Sequence, residues 1–199
     1  FMMTTIRRQA ASCIHALAPF LHDLLLGRLE LVEGETDEYE GEGFSSGNSV
    51  ELRQMVESVL AKAERLPPED GKLDALLKIV REKEGLPNNK VLLFATFRHT
   101  LNYLHQHLLK HRIRCGLMLG ATSDEDRVEL RRRFSLPRED EDAIDILLSS
   151  EIGCEGLDYQ FCDCLVNYDI QWNPMRIEQR IGRIDRYGQK SETVAIYSL

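Results

Sequence analysis

Four arginines, Arg176, Arg180, Arg183 and Arg186, are spaced by four, three and three residues near the end of the sequence. On a helix this spacing gathers them along one stripe, where like charges cost each other roughly a few tenths of a kcal/mol per pair. Glu178 and Asp185 offset only part of that repulsion. A guanidinium stripe suits a phosphate, because arginine stays charged and grips oxyanions through a rigid fork. For the arginines alone a solvated basic face is the simpler account. Gly182 tilts the balance, since a glycine inside a helix costs about 1 kcal/mol relative to alanine and marks close approach of a backbone or ligand.

A second candidate lies upstream in S-S-E-I-G-C-E-G-L-D, Ser149 to Asp158. Gly153 and Gly156 permit a tight strand-to-helix turn whose backbone N–H groups can meet a phosphate or a neighbouring loop. Ser149 and Ser150 are short hydroxyl donors at the carboxyl end of a predicted strand, suited to a nucleic-acid phosphate. A plain structural turn explains the same composition. His107 and His111 stand four apart, but no carboxylate or cysteine completes a metal set nearby, so they read as solvated helix histidines. Trp172 suits packing in the turn before Pro174, with base stacking as the alternative.

The elements that must position these residues follow from periodicity. Residues 1–31 carry apolar positions at helical spacing, interrupted near Pro19, and residues 32–49 form an acidic, glycine- and serine-rich stretch that reads as a flexible linker. Val50 to Arg65 returns to helical spacing. From Asp70 onward helix and strand alternate: helices over 72–83, 100–110, from a capping box at Thr122 to about Phe134, and from Pro174 to Arg186. Strands are predicted over 91–95, 114–119, 144–149, 165–168 and 194–197. Five strands separated by helices or helical turns imply an α/β fold, a parallel sheet covered on both faces, with an N-terminal helical appendage. In such sheets ligands gather at the carboxyl ends of the strands.

Composition sets the outer limits. The apolar fraction is 43% and the charged fraction 29% in 199 residues, as in an ordinary soluble domain with an appendage. The longest apolar runs fall far below the roughly 20 residues that span a bilayer, so no membrane partner is expected. Five cysteines, odd in number and without a C-x-x-C pair, favour neither a disulfide framework nor a zinc site, and a reduced cytoplasmic setting fits them. The net charge of -8 does not exclude a nucleic-acid partner. Acidic residues concentrate between Glu30 and Glu42, away from the arginines.

Taken together and in order, four segments carry a resemblance. Lys90 to Phe97 (K-V-L-L-F-A-T-F), Ser149 to Asp158, Asp169 to Pro174 (D-I-Q-W-N-P) and Gln179 to Gln189 (Q-R-I-G-R-I-D-R-Y-G-Q) resemble motif IV, motif V, the joining segment and motif VI of superfamily-two helicases. The W-N-P and R-Y-G-Q elements are similar to the Swi/Snf-type branch, in the form of its bacterial RapA (HepA)-like members.

The resemblance implies a RecA-like C-terminal motor lobe over residues 72–199, preceded by a helical inter-lobe linker over 1–71. It implies ATP with Mg²⁺ between this lobe and a first RecA-like lobe of the same parent chain. Arg186 and Arg183 become candidate arginine fingers and Gln179 a coupling residue, with Gly156 and Asp158 near the nucleotide. Thr96, Gly120 and Thr122 join Ser149 and Ser150 as candidate contacts to nucleic acid, expected to be double-stranded DNA, with RNA as the alternative. A helix-capping role explains Thr122 equally well. The sequence has no G-x-x-x-x-G-K-[ST] loop and no D-E-x-[HD] motif, so Mg²⁺ and the β,γ-phosphates would be held by the first lobe, and these residues alone are expected not to hydrolyse ATP. A catalytically inactive RecA-like binding platform for RNA polymerase or another protein partner is the rival expectation.

Overall fold

A computed structural model describes residues 2–27 and 50–199, so the acidic stretch over 32–49 lies outside the described residues. Five parallel strands form one sheet: β1 (Val91–Phe94), β2 (Cys115–Met118), β3 (Ile146–Ser149), β4 (Cys164–Asn167) and β5 (Ala195–Ser198). Their order is β2-β3-β1-β4-β5, with β1 at the centre. Phe94 is level with both Ser149 and Asn167, and Met118 is level with Ser149, so the carboxyl ends finish along one edge. From β1 the chain first moves outward to β2, returns as β3, and then crosses to β4 and β5. The order therefore reverses beside β1, and a crevice at such a reversal is where open α/β sheets place ligands.

Strand residues 91–94 and 146–149 are buried on both faces, as their continuous apolar runs require. Val91, Leu93, Ile146, Leu148 and Val166 pack on one side, under α4 (Gly71–Glu84) and α5 (Arg98–Lys110). Leu92, Phe94, Leu147 and Leu165 pack on the other, against Phe134 of α6 (Asp124–Ser135), Tyr159, Cys162 and Ile184. Full burial of one such side chain contributes about 1.5–3 kcal/mol. The segment between β3 and β4 holds turns and no helix, so the expected strand-to-helix turn after Ser150 is a chain of turns instead.

The N-terminal residues form α1 (Met2–Ser12), a 3₁₀ turn (Ile14–Ala16) and α2 (Leu17–Leu25), which packs on α3 (Val50–Ala63). Ile6, Leu17, Phe20, Leu21, Leu24, Val56 and Leu60 make a separate apolar cluster. Pro19 does not interrupt this region. It is the third residue of α2, where its missing N–H would have had no helical partner, and the break falls at Cys13. Cys13 and Ala16 reach into the sheet's own core, and Phe20 meets Phe97 and His99 edge to face at 6.3 and 5.5 Å. No helix among the described residues is long and apolar enough to cross a membrane.

Candidate nucleotide and nucleic-acid interface

The last helix, α7 (Pro174–Ile181), starts where chemistry dictates. Asn173 accepts a hydrogen bond from Met175 N at 3.0 Å as its N-cap, and Pro174 takes the first helical position, whose N–H needs no partner. The helix ends five residues sooner than periodicity predicts. Gly182 closes it by donating to Glu178 O at 2.8 Å, and Arg183 and Ile184 continue in tight turns so that Ile184 can bury completely. The four arginines are therefore not one stripe: Arg176 and Arg180 lie on the helix, Arg183 and Arg186 on the turn beyond it. Nor does another backbone crowd Gly182, since a side chain there would first meet its own turn, Glu178 O at 3.4 Å. The glycine ends the helix, the place where its weak helix propensity costs least.

Arg180 is 2% exposed and forms the centre of a buried polar cluster rather than a surface pair. Its Nε donates to Glu151 Oε1 at 3.0 Å, and its Nη1 donates to Asn167 Oδ1 and to the Asp169 carbonyl, both at 3.0 Å. Its Nη2 forms ion pairs, 2.9 Å from Glu151 and 3.6 Å from Asp169, without a well-directed hydrogen bond. The guanidinium also stands over the Phe94 ring at 5.4 Å. Arg176 shares Glu151, donating to Oε2 at 2.6 Å. Glu151 thereby fixes the turn after β3 to α7.

Arg183 is half-buried, with its Nη1 3.5 Å from Leu157 O, and its own carbonyl accepts from Tyr159 N at 2.8 Å. Arg186 is 54% exposed and pairs with Asp158. Gln179 is exposed on α7. Gly156 adopts φ +75, a left-handed conformation that admits glycine readily, in the exposed part of the same turn. Thus Arg183, Arg186 and Asp158 are brought together, while Gln179 stands one helical turn away.

Thr96, Gly120, Thr122, Ser149 and Ser150 follow or end β1, β2 and β3 at one edge of the sheet. The serine hydroxyls are nevertheless turned inward. Ser149 Oγ donates to Ser150 O at 2.8 Å, Ser150 Oγ accepts from Gly153 N at 3.2 Å, and both residues are buried. They shape the turn. Gly153 is required there for close packing, because a Cβ would sit 2.5 Å from Met118 O. Thr122 is not the helix cap: its Oγ1 accepts from Leu119 N at 2.9 Å within its own turn, and Ser123 caps α6 by accepting from Asp126 N at 3.2 Å. Thr96 donates both N–H and hydroxyl to Asp169, at 2.8 Å each. Trp172 is 91% exposed and packs into no turn, and Ile170 and Met175 beside it are also exposed.

Sequence reasoning missed Arg127, Glu151 and Asp169. Arg127 on α6 donates to Gly120 O at 2.8 Å, Thr122 O at 3.0 Å and Ile152 O at 3.2 Å, so one side chain ties the loop after β2 to the turn after β3. An arginine behind an acidic helix start carries no signal of its own. Asp169 did carry one, as a carboxylate immediately after a buried strand. Burial pushes the thiols up, Cys13 to about 11 and Cys162 to about 12, so the cysteines stay protonated packing groups. Among the described residues no group of three or more His, Cys, Asp or Glu could hold a metal.

Comparison with known proteins bears on the family and the fold. The helicase conserved C-terminal domain matches residues 71–188, more than half of the chain. An uncharacterized ATP-dependent helicase, YqhH of Bacillus subtilis, is 37% identical over 112 residues, 56% of this chain and 19% of the relative. The RNA polymerase-associated protein RapA of Vibrio campbellii is 36% identical over 124 residues, 62% and 12% respectively. The mouse DNA repair and recombination protein RAD54B is 36% identical over 132 residues, 66% and 15%. The chain thus spans less than a fifth of the length of these curated relatives. Among solved structures, the C-terminal part of the Fun30 ATPase domain superposes with TM-score 0.56 at 27% identity, over 75% of this chain and 48% of that one. The Escherichia coli DEAD-box protein SrmB superposes with TM-score 0.51 at 20% identity, over 64% and 71%, a likeness of fold. The sheet is RecA-like, and the chain belongs to the helicase C-terminal domain family, in company with its Swi/Snf-type superfamily-two members.

Proposed function

We propose that this chain is the second motor lobe of an ATP-dependent translocase that moves along double-stranded DNA. The observation that carries the reading is the shared edge: Thr96, Gly120, Thr122 and the Ser149–Ser150 turn lie together at the carboxyl ends of three adjacent strands. The residues after β1, β2 and β3 would face the DNA backbone there, with turn N–H groups rather than the inward serine hydroxyls meeting phosphates. Gly156 and Asp158 would lie near ATP, and Gln179 would relay the nucleotide state across the lobe contact.

Arg186 is the leading arginine finger and Arg183 the second. Both stand on a turn after a helix end, not inside a helix, so a modest turn shift aims them at another lobe. The Asp158–Arg186 pair is largely exposed, and such pairs are worth about 0–1 kcal/mol, so ATP phosphates can displace the carboxylate at little cost. A first lobe of the parent chain would hold Mg²⁺ and the β,γ-phosphates. Closure of the two lobes per turnover would then step the motor. RNA polymerase is a candidate partner of the parent on the strength of the RapA relatives alone.

Arg186→Ala in the full-length parent tests the assignment. DNA-stimulated ATP turnover should fall by about 10³-fold or more, the scale of a lost finger. A variant that keeps the wild-type rate sinks it.

A further inference from the structure

A directed chain of buried hydrogen bonds runs from α1 into the sheet edge. Gln9 Nε2 donates to Thr100 Oγ1 at 3.1 Å, and the Thr100 and Ser12 hydroxyls lie 2.9 Å apart. Ser12 Oγ donates to Asp169 Oδ2 at 2.8 Å. Because Thr100 accepts from Gln9 and Ser12 donates to Asp169, the shared proton belongs to Thr100, and every donor points toward the carboxylate. Hydrogen bonds aligned this way polarise one another in a low-dielectric interior. All four residues are buried, with Gln9 and Thr100 at 0% exposure.

Asp169 is where that chain meets the rest of the edge. The same carboxylate accepts from Thr96 N and Thr96 Oγ1 after β1, and Gln171 Nε2 donates to Thr96 Oγ1 at 2.6 Å. On its other side stands Arg180, bonded to the Asp169 carbonyl at 3.0 Å and 3.6 Å from its carboxylate. Three parts of the chain that are remote in sequence, α1, the β1 exit and α7, therefore converge on one side chain. Lys72 of α4 secures the helix end from outside by donating to Ser12 O at 2.8 Å.

We propose that Asp169 is a positioning residue that couples the seating of α1 to the placement of the arginine-bearing α7 and its following turn. Its carboxylate needs donors from α1 and from Thr96 to remain buried, and Asp169, through its carbonyl and its nearby carboxylate, joins Glu151 and Asn167 in holding Arg180. Arg180 sets the direction of α7, hence where Gln179, Arg183 and Arg186 emerge. Movement of the N-terminal helices is transmitted through Ser12 to the catalytic turn. This inference rests on the motor-lobe reading, and the test separates the two.

The experiment measures DNA-stimulated ATP turnover of the full-length parent carrying Ser12→Ala or Asp169→Asn, each alone and with Arg186→Ala. Asp169→Asn should lower kcat by between about 10- and 100-fold, the cost of a misplaced catalytic group, with KM for ATP changed less than about threefold. Ser12→Ala, which removes one donor and leaves the carboxylate in place, should lower kcat less and lower the unfolding midpoint, because a buried carboxylate loses a hydrogen bond. Each change should slow the Arg186→Ala enzyme by a smaller factor than it slows wild type, because the part of its effect that acts through Arg186 is already lost. Equal fold-losses in both backgrounds, or unchanged kcat in both single variants, overturn the coupling. If wild type shows no DNA-stimulated turnover, or Arg186→Ala leaves it intact, the motor-lobe reading fails and takes the coupling with it.

Discussion

Arg180 and Arg186 lie six residues apart in one motif, yet one is 2% exposed among carboxylates and the other 54% exposed on a turn. In sequence they are members of the same guanidinium set. In the fold, the helix delivers Arg180 beneath the sheet edge, whereas the chain beyond Gly182 carries Arg186 outward past the buried anchor Ile184. Charge spacing therefore counts anion-binding capacity without saying where it is spent. Here the helical part of the motif builds the frame, and the turn beyond it carries the more exposed arginine, in a pair with Asp158.

Removing the frame should cost most. Arg180→Ala removes the buried cation between Glu151 and Asp169 and leaves Glu151 with Arg176 alone, and breaking a buried pair costs about 3–5 kcal/mol. The urea midpoint of the chain should drop accordingly; a loss under about 1 kcal/mol would mean that the cluster reorganises and that the contrast is false. Asn173→Ala removes the N-cap that starts α7 for both arginines, and should cost about 1 kcal/mol by the same measurement.

Acid titration gives the next test, because arginine keeps its charge at any such pH and the frame should not respond. Burial lowers His99 below its ordinary value of 6.5, against the opposing hydrogen bond that its ring donates to Asp23, and burial lowers His105 and His107 as well. A histidine whose folded pKa is depressed holds fewer protons folded than unfolded. Its contribution is complete above pH 6.5 and is lost as pH falls from there toward the depressed folded value. Denaturation midpoints should decline between pH 7.5 and 5, and His99→Gln should flatten the decline. If the slope is unchanged in that variant, His99 is not its source. Smallest of all, Arg186→Ala should shift stability by less than about 1 kcal/mol, as expected of an exposed pair, while abolishing most turnover.

Much of the fold was legible beforehand. Runs such as Val91 to Ala95 are apolar at every position, which only a strand covered on both faces requires, and all five strands fall within two residues of their predicted starts and ends. Misses cluster where local signals compete. Thr122 and Ser123 both offer a capping oxygen, and Ser123 takes the helix because Thr122 is engaged by Leu119. Pro19 reads as a breaker, yet it is harmless three residues into a helix. Trp172, expected to pack, stands in the open.

By itself the sequence determined the alternation of strands and helices, the parallel sheet, and the set of residues at its carboxyl edge. Those follow from periodicity and turn chemistry, which act over a few residues at a time. Tertiary structure alone decided which polar groups are already occupied: Ser149 and Ser150 turned inward, Arg180 neutralised by Glu151 and Asp169, and Arg127 clamping two loops. The Arg180–Glu151 and Arg127–Ile152 contacts join residues 29 and 25 apart in the chain, brought together by burial, and no spacing rule reaches that far.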